Sequence, residues 1–142
     1  MAKKQVIISF DYEHDRHYYR LLKAWDANKY FDFFFSDLTP QEIKTKNVSV
    51  VKQVLSSKIH DANYMIAIIG AHSNELHPDY LKIGHRNWQA YEISKNFDHR
   101  NGLVAVKLNR EYEAPVEAYN IGTKWVYSFN EYSIIKALNE LG

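Results

Sequence analysis

The segment Asn87-Trp88-Gln89-Ala90-Tyr91-Glu92-Ile93-Ser94-Lys95-Asn96-Phe97 sets one carboxylate beside two large aromatic rings. Read as a helix, in which successive side chains rotate by about 100°, it puts Ala90, Ile93 and Phe97 on one face. Trp88, Tyr91 and Glu92 then cluster on the opposite face. The small and aliphatic face is expected to be the core face, so the carboxylate is expected to point away from the core. A solvated helix face ordinarily carries Lys and Glu rather than Trp and Tyr. Two readings fit this pattern. In one, Glu92 stands in a semi-apolar cleft whose rings hold a planar ligand. In the other, it is a surface glutamate beside aromatics that pack under the preceding loop.

A second group is Ser9-Phe10-Asp11-Tyr12-Glu13-His14-Asp15. Backbone N–H groups at the start of a following helix could hold a phosphate there, but three acids would repel one. A helix cap with exposed charges is the better reading for Glu13 and Asp15, while Asp11 stays open between cap and site. Seven histidines invite a metal test. His14 and His17 lie close in sequence, and His72, His77 and His85 share one stretch, but there is no H-E-x-x-H and no thiolate. Scattered surface histidines fit better, so no metal is expected; His72 is the one placed to matter.

Several familiar sites are missing. A receiver domain needs an acid at the end of the third strand, which here reads Ile68-Ile69-Gly70. A flavodoxin needs a Ser/Thr/Gly-rich phosphate loop after the first strand. Neither G-x-x-x-x-G-K-[ST] nor G-x-G-x-x-G occurs.

The elements that must position these groups alternate. Val6-Ile7-Ile8-Ser9-Phe10 reads as a buried first strand. Tyr18, Leu21, Leu22 and Trp25 recur at helical spacing, with Asp11 as a plausible N-cap and Asn28 at the end. Tyr30 to Phe35 predicts a second, aromatic strand, which leaves Ser36 and Asp37 in the loop after it. Val51, Val54, Leu55 and Ile59 predict a helix. Tyr64 to Gly70 is apolar without alternation, the mark of a strand covered on both faces. A long loop follows from Ala71 to about Arg86, then the Trp88 helix. Leu103 to Leu108 and Lys124 to Tyr127 predict two more strands. Ser128-Phe129-Asn130-Glu131 fits a capping box opening a last helix.

This order predicts one α/β domain over residues 1–142, with a five-stranded parallel sheet in 2-1-3-4-5 order and helices on both faces. Ligands of such sheets bind beyond the carboxyl ends of the strands, at the switch point. That places the site near Ser9 to Tyr12 and Gly70 to Ser73.

Length and composition agree with a soluble, cytosolic domain. The chain has 142 residues, 46% hydrophobic and 15% aromatic. The net charge of +1 lacks the basic excess of a nucleic-acid binder. The absence of cysteine excludes disulfides and thiolate chemistry, and no run approaches the roughly 20 apolar residues of a membrane span. The start, Met1-Ala2-Lys3-Lys4, leads into an apolar run too short for a signal peptide.

Three pieces carry a resemblance: Val6-Ile7-Ile8-Ser9-Phe10-Asp11-Tyr12, Ile68-Ile69-Gly70-Ala71-His72-Ser73 and Trp88-Gln89-Ala90-Tyr91-Glu92-Ile93. Together they resemble the TIR-like domain of the Thoeris antiphage systems, with the Trp-x-x-x-Glu-Ile helix as the strongest. The resemblance implies a flavodoxin-like fold and an enzyme that cleaves the nicotinamide–ribose bond of NAD. NAD would be substrate, with no permanently bound cofactor. The product would be a cyclic or conjugated ADP-ribose signal that switches on a separate effector protein. The resemblance maps the catalytic glutamate onto Glu92, and it places Phe10, Asp11, Tyr12, Ser36, Asp37, His72, Trp88 and Tyr91 around the dinucleotide. The segment Asn74 to Arg86 looks longer than is usual in that family; it would act as a lid or alter which nucleophile captures the ADP-ribose. The alternative is a non-catalytic flavodoxin-like module that assembles with itself or a partner through its aromatic surface.

Overall fold

A computed structural model describes residues 3–142; Met1 and Ala2, the first half of the short basic start, lie outside the described residues. The strands are β1 (Lys4–Ser9), β2 (Phe33–Asp37), β3 (Tyr64–Ile69), β4 (Gly102–Lys107) and β5 (Lys124–Val126). The helices are α1 (Arg16–Asp26), α2 (Val48–His60), α3 (Tyr80–Ile83), α4 (Trp88–Asp98) and α5 (Glu131–Glu140). All strand pairs are parallel, and the sheet order is β2-β1-β3-β4-β5, the expected 2-1-3-4-5.

The central strands are apolar on both faces because both faces are covered. Met65, Ala67 and Ile69 of β3 pack with Val51, Leu55 and Ile59 of α2 and Ile93 of α4. Ile66 and Ile68 turn the other way, toward Leu22 of α1 and Ile134, Ala137 and Leu138 of α5. Each such isoleucine contributes roughly 1.5–3 kcal/mol through burial. A cut to alanine in the middle of β3, such as Ile66→Ala, costs about 2–5 kcal/mol. No helix of the described residues is long and apolar enough to cross a membrane.

Several boundaries differ from the sequence reading. The second strand starts at Phe33, not Tyr30, because the Asn28 side chain accepts from the Tyr30 N–H (2.9 Å) and its carbonyl from the Phe31 N–H (3.0 Å). That turn leaves Tyr30 80% exposed and carries the strand on through Ser36 and Asp37, which are therefore strand residues. Phe33 and Phe35 face the core of this edge strand, and Phe34 faces out. Asp11 does not cap α1. Its Oδ1 accepts from the N–H groups of Glu13 (3.0 Å) and His14 (3.1 Å), building a turn ahead of the helix. The last helix is capped by Asn130, whose Oδ1 accepts from the Ser133 N–H at 2.8 Å, rather than by Ser128.

The helix carrying Glu92 departs most from its expected orientation. Ala90 and Ile93 are buried as predicted, but Phe97 is exposed, and Gln89, Tyr91, Glu92 and Asn96 are buried. The helix is wedged between the sheet, α2 and the short 3₁₀ turn Val116–Ala118, so most of its circumference meets protein. Gln89, Glu92, Ile93 and Asn96 form an i, i+3, i+4, i+7 stripe, and that stripe is the inner face.

Candidate active site

The carboxyl ends of β1 and β3 open into a cleft of about 340 Å³. One wall comes from the residues after β1, one from the loop after β3, and the floor from the first turns of α4. Strand and helix are joined there by an unusual polar contact. Ser9, the last residue of β1 and fully buried, donates its hydroxyl to Oε1 of Glu92 at 2.6 Å. The second oxygen of Glu92, Oε2, has no hydrogen-bond partner among the described residues although the side chain is only 1% exposed. Burial pushes the Glu92 carboxyl well above its ordinary range, against the pull of the Ser9 hydroxyl and the positive charge of Lys58.

Gln89 fixes this arrangement from the preceding turn of the helix. Its Nε2 donates to the carbonyls of Ser9 (3.1 Å) and Ile68 (2.9 Å), tying together the ends of the two strands. Asn87 starts α4, its side chain accepting from the Ala90 N–H at 2.9 Å. The amide of the same side chain donates to the carbonyls of Ser73 and Glu75, both at 2.9 Å. The loop over 71–86 is thereby folded back onto α4 and forms a wall, with the short α3 inside it.

At the mouth, the rings of His14 and His72 stack face to face, 3.6 Å between centroids and 17° between planes. Each ring is held by an acid: His14 Nδ1 lies 3.1 Å from Asp11 Oδ1, and His72 Nδ1 lies 2.8 Å from Glu75 Oε1. The Glu75 hydrogen bond holds the His72 ring above its usual basicity. Near the stack lies Asp15, 6% exposed, its Oδ2 without a hydrogen-bond partner among the described residues. Its carboxyl is pushed up to about 6, first by burial and then by the neighbouring Asp11.

The structure brings six of the nominated residues together: Phe10, Asp11, Tyr12, His72, Trp88 and Glu92 all line the cleft. Ser36, Asp37 and Tyr91 do not. Asp37 accepts from the Thr39 hydroxyl at 2.9 Å, and the β2 side of the cleft is supplied by Pro40 and Gln41 instead. Tyr91 turns toward α2, where its hydroxyl donates to the Lys52 carbonyl at 3.0 Å and its ring meets Trp88 edge-on at 5.7 Å. Successive residues rotate by about 100°, so Gln89 and Glu92 face the strand ends while Tyr91 is turned toward α2. The sequence reading missed Gln89, and it named Ser9 only by its place at a strand end. A glutamine, glutamate and asparagine on one helical stripe, and a hydroxyl closing an apolar strand, were the available signals.

The cleft lining carries four carboxylates (Asp11, Glu13, Glu75 and Glu92) and three histidines. Neither lysine nor arginine lines it among the described residues. Trp88 and Tyr12 put two aromatic rings in the lining, the second with the Arg16 guanidinium 4.4 Å from its centroid. A carboxylate with one free oxygen at the floor of such a cleft can stabilise positive charge that develops on a ligand atom.

Comparison with known proteins agrees with the fold. A solved structure described as a 2-desoxiribosyltransferase from Leishmania mexicana aligns with a TM-score of 0.59 at 14% identity. The alignment covers 96% of this chain and 97% of that one. A 3-dehydroquinate dehydratase-like protein from Bifidobacterium longum aligns with a TM-score of 0.49 at 12% identity, over 99% of this chain and 95% of that one. At these identities the first likeness shows the fold. A search of the curated proteins found no match. Residues 7–113 match the family described as Thoeris protein ThsB, TIR-like domain. The match takes in the end of β1, β3, the loop wall and the Glu92 helix, and the chain belongs to this family of TIR-like domains of the Thoeris defence systems.

Proposed function

We propose that the chain cleaves the nicotinamide–ribose bond of NAD and makes an ADP-ribose-derived signal that switches on a separate Thoeris effector. The observation that carries this reading is Glu92: a buried carboxyl with one free oxygen, on the floor of an aromatic, acid-rich cleft at the sheet's switch point. Membership of the Thoeris TIR-like family supports it. A protein of this fold is named for desoxyribosyl transfer, and the reaction proposed here also moves a ribosyl group.

The chemistry suits the residues. The bond between the anomeric carbon and the ring nitrogen breaks with its electron pair going to nitrogen, so neutral nicotinamide leaves without being protonated. An oxocarbenium-like centre remains, and an ionised Glu92 beside it stabilises that charge or holds the ribose hydroxyls. Water, or a nucleophile within the substrate, then bonds to the same carbon and loses its proton to Glu92 or solvent. No second acid is required. Trp88 and Tyr12 hold the planar ring, and the apolar burial that lifts Glu92 also makes a cationic ring a favoured partner for it.

The test is made in cells. The chain and its Glu92→Gln variant are expressed, both are challenged with phage, and lysate small molecules are profiled by mass spectrometry. A new ADP-ribose-derived species in the parent alone is expected. Equal NAD loss and the same species in the variant would sink the assignment.

A further inference from the structure

A glutamate side chain has three rotatable bonds, and Glu92 makes a single hydrogen bond among the described residues, the one from Ser9. The direction of its free oxygen is therefore set by that donor. Ser9 is well placed to set it. Its backbone is locked in the sheet opposite Ala67, its carbonyl is gripped by Gln89, and its side chain is fully buried. A hydroxyl on a strand end does not drift as one on a loop would.

We propose that Ser9 is the positioning residue of this site: held by β3 and Gln89, its hydroxyl pins Oε1 of Glu92 and leaves Oε2, buried and without a hydrogen-bond partner among the described residues, as the oxygen that turns to the reacting carbon. This rests on the reading of Glu92 as the catalytic group. The hydrogen bond also favours the ionised carboxyl, because a hydroxyl donor stabilises the charged form. Burial acts the other way, and Ser9 is the nearest group opposing it. Removing the hydroxyl thus has two consequences that loss of packing alone does not have. The carboxyl becomes harder to ionise, and turnover falls in kcat more than in KM because the free oxygen loses its aim.

Ser9→Ala removes one buried atom and tests both. The Glu92 carboxyl is followed by ¹³C NMR in glutamate-labelled protein, its resonance assigned by its loss in Glu92→Gln. In Ser9→Ala the midpoint is expected to rise by about one pH unit, the size of a hydrogen bond to a charged group. The acidic limb of the turnover profile in NAD is expected to move with it, with kcat down about ten- to hundredfold and KM within threefold. An unmoved Glu92 midpoint and an unmoved limb, with Glu92→Gln inactive, would overturn the role of Ser9 and leave the catalytic reading standing. Full turnover in Glu92→Gln would remove the catalytic reading, while the NMR midpoint still decides whether Ser9 controls Glu92. If Ser9→Ala does not fold, Ser9→Cys, nearly the same size with a weaker donor, replaces it with the same expected direction.

Discussion

Asp15 lays its carboxyl over the α-carbon of Gly70 instead of capping the helix it precedes. A Cβ at Gly70 would collide with the Asp15 carboxylate, whose carboxyl carbon would lie 2.7 Å away. Glycine is needed there for room, not for backbone conformation. The contact joins the turn after β1 to the end of β3, the two segments between which the cleft opens. Gly70→Ala is expected to cost about 1–3 kcal/mol of stability by overpacking. In Gly70→Ala/Asp15→Ala the cost of the new methyl largely disappears. Chemical denaturation of the four-member cycle reads this, and additive costs would refute the contact.

The same carboxyl makes stability depend on pH. Its folded value of about 6 lies above its ordinary 3.8, so its contribution is complete below about pH 4 and is lost as pH rises through 6. Asp15→Asn has no such loss. The variant is expected to match the parent near pH 4.5 and to exceed it by about 2 kcal/mol at pH 8. Parallel melting curves across that range would contradict the burial argument.

Glu92→Gln separates stability from activity. Burial raises the Glu92 carboxyl, so the parent is stabilised at low pH and loses that contribution as pH rises. The amide keeps an oxygen for the Ser9 hydroxyl and never ionises. Its melting temperature at pH 8 is expected to exceed the parent's, while turnover of NAD falls at least a hundredfold. A drop in both would mean that Glu92 serves the fold.

Ligand binding should move a proton. Burial disfavours the ionised Glu92 carboxyl, and a cationic ring beside it favours that form. Calorimetry of the parent with NAD in buffers of different ionisation enthalpy is expected to show proton release at pH 7. The Glu92→Gln protein is expected to show none. Equal buffer dependence in the two would place the proton on another group.

Tyr91→Phe tests a residue that the family resemblance assigns to the dinucleotide but the structure turns toward α2. Losing its bond to the Lys52 carbonyl is expected to cost about 1 kcal/mol of stability. Turnover is expected to stay within twofold of the parent, and a large loss would return Tyr91 to the site.

The alternation of apolar strands with helices was legible because both faces of β1, β3 and β4 are covered, which leaves continuous Val, Ile and Ala runs. The switch point followed from that order, and with it Phe10 and His72. The helix of Glu92 was misread because an amphipathic template assumes that polar side chains face water. Here Gln89, Glu92 and Asn96 face inward, toward strand ends that offer them carbonyls and a hydroxyl. The β2 boundary was misread for a local reason: the Asn28 turn takes up Tyr30 and shifts the strand downstream. Pairings between distant segments, such as Asp15 over Gly70 or His14 against His72, have no signature in a linear pattern.

The acid-rich, lysine-free lining of the cleft sets an approach direction. On the proposed function, this acidic lining would favour entry of the dinucleotide's positive ring over its diphosphate, with the Arg16 guanidinium over the Tyr12 ring as the nearest permanent cation to the lining. Association then draws little on long-range attraction, and its rate should change only weakly with added salt. On the proposed function, selection would work through the sign of the ring, and a reduced, uncharged nicotinamide is expected to bind more weakly.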